Sequence, residues 1–167
     1  MKGLETVSDP AVFGGEASPV ITHLLQDAAA ACQHTRRAET ILWSAQAIDP
    51  ACLPVYFALY KFYFYKFRLK DAEKAALMGL ETAARLAGFS ADWAQLTPDC
   101  ANWQETDGPR HFYLFTLKAL AFILLRQGRL ADSLILLDKL QELDPDDAVG
   151  SSVIRDLARE TGLVGRD

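Results

Sequence analysis

The sequence predicts an all-α protein in which three helical hairpins stack in order, one long insertion interrupts them and a C-terminal helix caps them. Three observations predict it. Apolar residues recur at spacings of three, four and seven, the period of helices that bury one face. Asp49-Pro50 and Asp144-Pro145 each close a two-helix pattern, and proline cannot continue a helix interior. Positions counted back from both prolines share one register of 34 residues, broken once by the insertion.

The elements follow in order. Met1 to about Ala17 contains Pro10 and Gly14-Gly15 without a clear period, and residues 1–17 read as a flexible arm. Ser18-Pro19 opens the first helix, because Ser accepts from free N–H groups and Pro suits the first turn. That helix is expected to reach about Gln33, with Thr22, Leu25, Gln26 and Ala29 facing inward. Its partner runs from Thr35 or Arg36 to Ile48 and turns Ala38, Leu42 and Ala45 toward it. The second hairpin spans Cys52 to Phe67 and Leu69 to about Ala87. Tyr56, Leu59, Tyr60 and Tyr63 there face Ala72, Ala76 and Gly79, and Ala84 replaces the closing proline, so the helix runs on to about Gly88.

The insertion, about 88–108, carries Trp93, Pro98 and Trp103, with a short helix expected over Ala91 to Leu96. Pro109 begins a long helix to Gln127, which Gly128 stops, and Leu117, Leu120, Ala121 and Leu124 line its inner side. Arg129 to Leu143 is its partner, with Ser133, Leu137 and Leu140 inward. Asp146 is expected to cap a last helix that ends near Thr161 at Gly162, leaving 163–167 as a tail. The helical domain is thus expected to cover 18–162. Small residues such as Ala38, Ala72, Ala121 and Ser133 let paired helices approach closely.

This register resembles the tetratricopeptide repeat: a large residue, two spacers, Leu-Gly, two spacers and Tyr, then Ala, an aromatic residue four later, and Pro. The resemblance covers 19–84 and 114–147, and it extends to a turn in which Arg68-Leu69-Lys70-Asp71-Ala72 aligns with Arg129-Leu130-Ala131-Asp132-Ser133. Gln26, Tyr60 and Ala121 stand where Gly is usual, so the second hairpin has a bulky residue at the close approach. The resemblance implies a right-handed solenoid whose first helices line a concave groove that grips a protein or peptide. Groove positions then include Val20, His23 and Asp27 in the first repeat and Phe115 and Leu125 in the third. The contact residues it points to are Phe57, Lys61, Phe64, Tyr65, Lys118, Phe122 and Arg126, rings as anchors and cations as steering groups.

The runs beginning Phe57-Ala58-Leu59-Tyr60 and Phe112-Tyr113-Leu114-Phe115, with Asp92-Trp93 between them, are also similar to repeat proteins encoded with nitrogen-fixation genes. That similarity implies an accessory role in making or protecting nitrogenase through protein contacts.

Composition narrows the alternatives. Seventeen basic against 22 acidic residues leave a net charge of -5, which argues against a nucleic-acid ligand. The most apolar run, Val55 to Phe67, carries Lys61 and Lys66 and is too short to span a bilayer. No signal-peptide pattern opens the chain, and Cys32, Cys52 and Cys100 fit a reducing compartment, so the expected location is the cytoplasm.

For catalysis the inventory is thin. His23, His34 and His111 lie far apart, and no HExxH, paired CxxC, GxSxG or phosphate loop is present. No enzyme activity, metal or cofactor is expected. Glu39, Glu73 and Glu81 read as ordinary exposed helix faces. Trp93 and Trp103 are either a flap over the groove or pins that hold a spacer to the core. Two rival functions stand beside the protein-binding scaffold. One is a homodimer through the rings of the second hairpin; the other is an enzyme or small-ligand binder using a pocket beneath the insertion, near Cys100 and His111.

Overall fold

The computed structural model describes residues 17–164, with side chains as far as residue 162. Its helices are α1 (Pro19–Ala30), α2 (Thr35–Ile48), α3 (Leu53–Tyr65), α4 (Leu69–Ala87), α5 (Gly108–Arg126), α6 (Leu130–Leu143) and α7 (Ser151–Val164). Two 3-10 turns, Trp93–Gln95 and Pro98–Cys100, lie between α4 and α5. Among the described residues all regular structure is helical, as predicted. Of the expected arm, residues 1–16 lie outside the described residues, and so do 165–167 of the expected tail.

Each helix packs chiefly on its neighbour in sequence, most extensively α4 on α5 and α3 on α4. α3 also meets α1 and α5, and α7 lies against both α6 and α5. α5 is therefore enclosed on most sides, which explains why Phe112, Tyr113, Leu114, Leu117, Leu120 and Ile123 are all buried, while the sector with Lys118, Phe122 and Arg126 stays open. Where helices approach most closely the residues are small. Ser133 is fully buried and donates its hydroxyl to the Ala121 carbonyl at 2.7 Å. A Cβ on Gly79 of α4 would stand 3.1 Å from Cβ of Tyr56 in α3 and 3.3 Å from the ring of Phe112 in α5. Three helices meet at that glycine. Tyr60, the bulky residue at the expected close approach, is buried with its hydroxyl 3.4 Å from that of Thr116.

Several expectations are corrected. In α1 the buried residues are Ile21 and Ala28, with Leu24 and Leu25 packed beside them, whereas Thr22, Gln26 and Ala29 are exposed. The expected short helix over Ala91 to Leu96 is a single 3-10 turn, Trp93–Gln95, capped by Asp92, whose carboxylate accepts from Ala94 N–H. The last helix does not start at Asp146. Asp144 turns inward to accept from the N–H groups of Ala148 and Val149, and Asp147 then accepts from Ser152 N–H at 3.1 Å, which delays the helix to Ser151. Gly162 sits inside α7 rather than ending it.

Glu39 and Glu73 are not idle surface carboxylates. Arg68 grips Glu39 with two N–H groups, at 2.9 and 3.1 Å, and uses its Nε on Asp71. One repeat along, Arg129 grips Glu73 at 2.8 Å and uses its Nε on Asp132. The same fork thus ties α4 to α2 and α6 to α4. At the first of these sites Trp43 donates to the Tyr63 hydroxyl, and that hydroxyl donates to Glu39 at 2.7 Å. Burial, with help from Glu39, pushes the Tyr63 hydroxyl up to about 12, so it stays a donor.

The Arg68 hydrogen bonds hold the Glu39 carboxyl below its ordinary value of 4.5. A group depressed in the folded state stabilises above its unfolded pKa and loses that contribution as pH falls through the folded one. Glu39→Gln is therefore expected to cost about 1 kcal/mol at pH 7, a modest figure because the site is partly solvated. The deficit should shrink toward pH 3 in urea unfolding followed by circular dichroism; a deficit independent of pH would refute the assignment.

Candidate functional site

The period of α3 sorts its rings. Tyr56, Tyr60 and Tyr63, spaced four and three apart, point into the core and are at most 2% exposed. Phe57, Lys61 and Phe64 take the same spacing on another face and are half-buried. On helix α5, Phe115, which is buried, and Lys118 and Phe122, which are half-buried, follow at spacings of three and four, and α3 packs on α5. The two rows meet as rungs. Phe57 lies 5.9 Å from Phe115, and Phe64 lies 5.2 Å from Phe122, centroid to centroid.

The cations behave differently from one another. Lys61 places its ammonium 5.5 Å from the Phe57 ring centre. Lys118 holds its own 4.6 Å from the Phe115 ring centre and donates to the Val149 carbonyl at 2.6 Å. It thus anchors the α6–α7 loop, and burial lowers its pKa from the ordinary lysine value. Tyr65 stands at the end of the face, 46% exposed and edge-on to Phe64. Arg126 is exposed in the last turn of α5, one turn beyond Phe122. The structure therefore gathers Phe57, Lys61, Phe64, Lys118 and Phe122 on one surface, with Tyr65 and Arg126 at its margin. The Val149 carbonyl is a member of this surface that the sequence does not announce, since no periodic signal links a loop after α6 to Lys118.

The two tryptophans lie elsewhere. Trp103 is buried, donates to the Thr97 carbonyl at 3.0 Å and packs between Phe89 and Tyr113. Trp93 is half-buried against the core. The insertion is further fixed where Tyr113 donates to the Ala91 carbonyl and Lys139 donates to that of Leu96. Tyr113 and Phe115 leave α5 roughly 160° apart around its axis. The insertion is thus pinned on the side of α5 away from the rings.

Cys100 is exposed in the insertion, and His111 is half-buried in α5, where burial lowers its pKa. Among the described residues no three His, Cys, Asp or Glu side chains cluster as metal ligands would. No helix among them is long and apolar enough to cross a membrane.

These features define a helical protein whose most developed surface is a ladder of paired rings. No protein-family model matches the chain, and no solved structure does. The chain is 31% identical over 125 residues to the uncharacterized 19.8 kDa protein in the nifW 5′ region of Azotobacter chroococcum mcd 1. The alignment covers 74% of this chain and 70% of that protein. The chain belongs to the family of that Azotobacter protein.

Proposed function

We propose that this chain is a non-catalytic scaffold of tetratricopeptide-like build, cytoplasmic and accessory to nitrogen fixation, that grips a protein subunit or peptide on the α3–α5 ring face. The observation that carries the proposal is the ladder itself: Phe57 against Phe115 and Phe64 against Phe122, flanked by Lys61. Fixed rings lose little conformational entropy on binding and give large apolar area, which is how interface anchors work. Lys61 and Arg126 add charge at the margin and orient a partner that carries a carboxylate.

Two further observations support the reading. Successive helices pack in sequence order, with next-but-one contacts of α3 to α1 and α5 and of α5 to α7, the order a solenoid of hairpins requires. The Azotobacter relative is named for its place beside nifW, which favours a partner from that process. The immobilised chain is expected to retain one protein in stoichiometric amount from an extract of nitrogen-fixing cells. The variant Phe64→Ser, Phe122→Ser, checked for unchanged helicity, is expected to release it. Equal retention by both forms would overturn the proposal.

A further inference from the structure

A second surface is marked by a residue whose backbone conformation does not suit it. Phe67, in the turn from α3 to α4, adopts φ 57°, the left-handed region that a bulky L-residue enters only at a cost. Its ring is 75% exposed, so no burial offsets that cost. The turn from α5 to α6 has the same build: Arg68 N–H bonds to the Tyr63 carbonyl as Arg129 N–H bonds to that of Leu124. At the position equivalent to Phe67 it has Gly128, at φ 78°. A glycine would serve the fold equally well at 67. Strain retained beside an exposed ring points to use of that ring.

The surroundings say what it would meet. Lys66 donates to the Cys32 carbonyl at 2.7 Å, joining the first hairpin turn to the second. Gln127 donates to the Leu69 carbonyl and to Glu73, joining the second to the third. The turns thus form one continuous edge. Segments 31–37, 66–70 and 126–130 contain no Asp or Glu, although acidic residues outnumber basic ones over the whole chain. Arg68 and Arg129 are paired with carboxylates from the helices. Arg36, Arg37, Lys70 and Arg126 are exposed, and none is in an ion pair among the described residues. A shallow hollow lined by His34, Thr35, Arg36 and Arg37 lies on the same edge.

We infer that this edge is a docking surface for an acidic protein segment with an apolar side chain, which packs on Phe67 while its carboxylates meet Arg36, Arg37 and Lys70. A protein segment fits better than RNA, because a net charge of -5 repels an extended polyphosphate while a short acidic stretch meets only local cations. The surface is separate from the α3–α5 ring face and stands or falls without it.

The test uses the full chain and a fluorescein-labelled, Glu-rich peptide with one central Leu, read by anisotropy at low salt. Binding is expected, at least ten-fold weaker for Phe67→Gly and for Lys70→Glu, and weaker for a peptide lacking Leu. Phe67→Gly should meanwhile raise Tm by about 2–4 °C through relief of the turn, so loss of binding cannot be ascribed to loss of fold. Phe64→Ser should leave this binding unchanged, which distinguishes it from the ring face. The inference is overturned if the Glu-rich peptide fails to bind, if Phe67→Gly binds it as well as the parent, or if a single-stranded RNA of similar length binds the same edge more tightly.

Discussion

Phe112→Ala is expected to destabilise the protein by about 3–5 kcal/mol, a large fraction of the total stability of about 5–15 kcal/mol that a domain of this kind possesses. The ring is fully buried, on the face of α5 that packs against α4, the most extensive helix pair in the molecule. Its removal leaves a cavity where α3, α4 and α5 meet, bounded by Tyr56 and Gly79. Gly79→Leu attacks the same junction from the other side. Its Cβ would stand 3.1 Å from Cβ of Tyr56, closer than packed carbons normally come, and the rest of the side chain would collide with the Phe112 ring. Overpacking of this kind costs about 1–3 kcal/mol. The double variant gives the sharper expectation. The leucine side chain introduced by Gly79→Leu fills part of the space that Phe112 vacates, so the combined loss should fall short of the sum by at least about 1 kcal/mol. Urea unfolding of the four proteins, followed by far-ultraviolet circular dichroism, measures this; strict additivity would show that the two residues do not share a junction.

The second large effect concerns binding. Phe64→Ser with Phe122→Ser is expected to weaken the protein captured on the ring face by roughly 100-fold, about 2.7 kcal/mol. Central aromatic anchors each contribute about 2 kcal/mol or more when truncated, and two stacked rings are not additive, which sets the lower figure. Both rings are only half-buried in the free protein, so the cost to stability is smaller than for Phe112. Titration calorimetry with the purified partner gives the affinity directly. A change of less than about three-fold, within roughly 0.7 kcal/mol, would remove the rings from the interface.

The sequence is most legible where its period is reinforced by neighbours on both sides. Helices α3 to α6 fall within two residues of the expected bounds because their apolar positions meet helices in front and behind. α1 shows the limit. The repeat length carries an inner face over from α3, but α1, which among the described helices packs chiefly on α2 and α3, buries its own most apolar stripe, Ile21 and Ala28, one position out of step. The start of α7 departs from expectation for a local reason: Asp144, Asp146 and Asp147 could each cap, and hydrogen bonds from Ala148 and Val149 decide in favour of a longer loop.

At the candidate site the spacing of Phe57, Lys61 and Phe64 is visible in the sequence, as is that of Phe115, Lys118 and Phe122. Their pairing rung by rung is not, because it depends on how α3 lies on α5. The forks on Glu39 and Glu73 are hidden for the same reason, since their arginines lie in the following hairpin. In the sequence Phe67 is one aromatic residue in a crowded run; only its left-handed backbone and its exposure set it apart.

If a protein partner sits across α3 and α5, Lys61 lies beneath it. A photoreactive benzoylphenylalanine in place of Lys61 reports that contact, with the same probe at Ile135, 60% exposed on α6, as the comparison. Illumination in nitrogen-fixing cells is expected to give a covalent product with one partner protein from position 61 and none from position 135. Crosslinking from position 135 alone would place the partner on a different face and refute the ring-face scaffold.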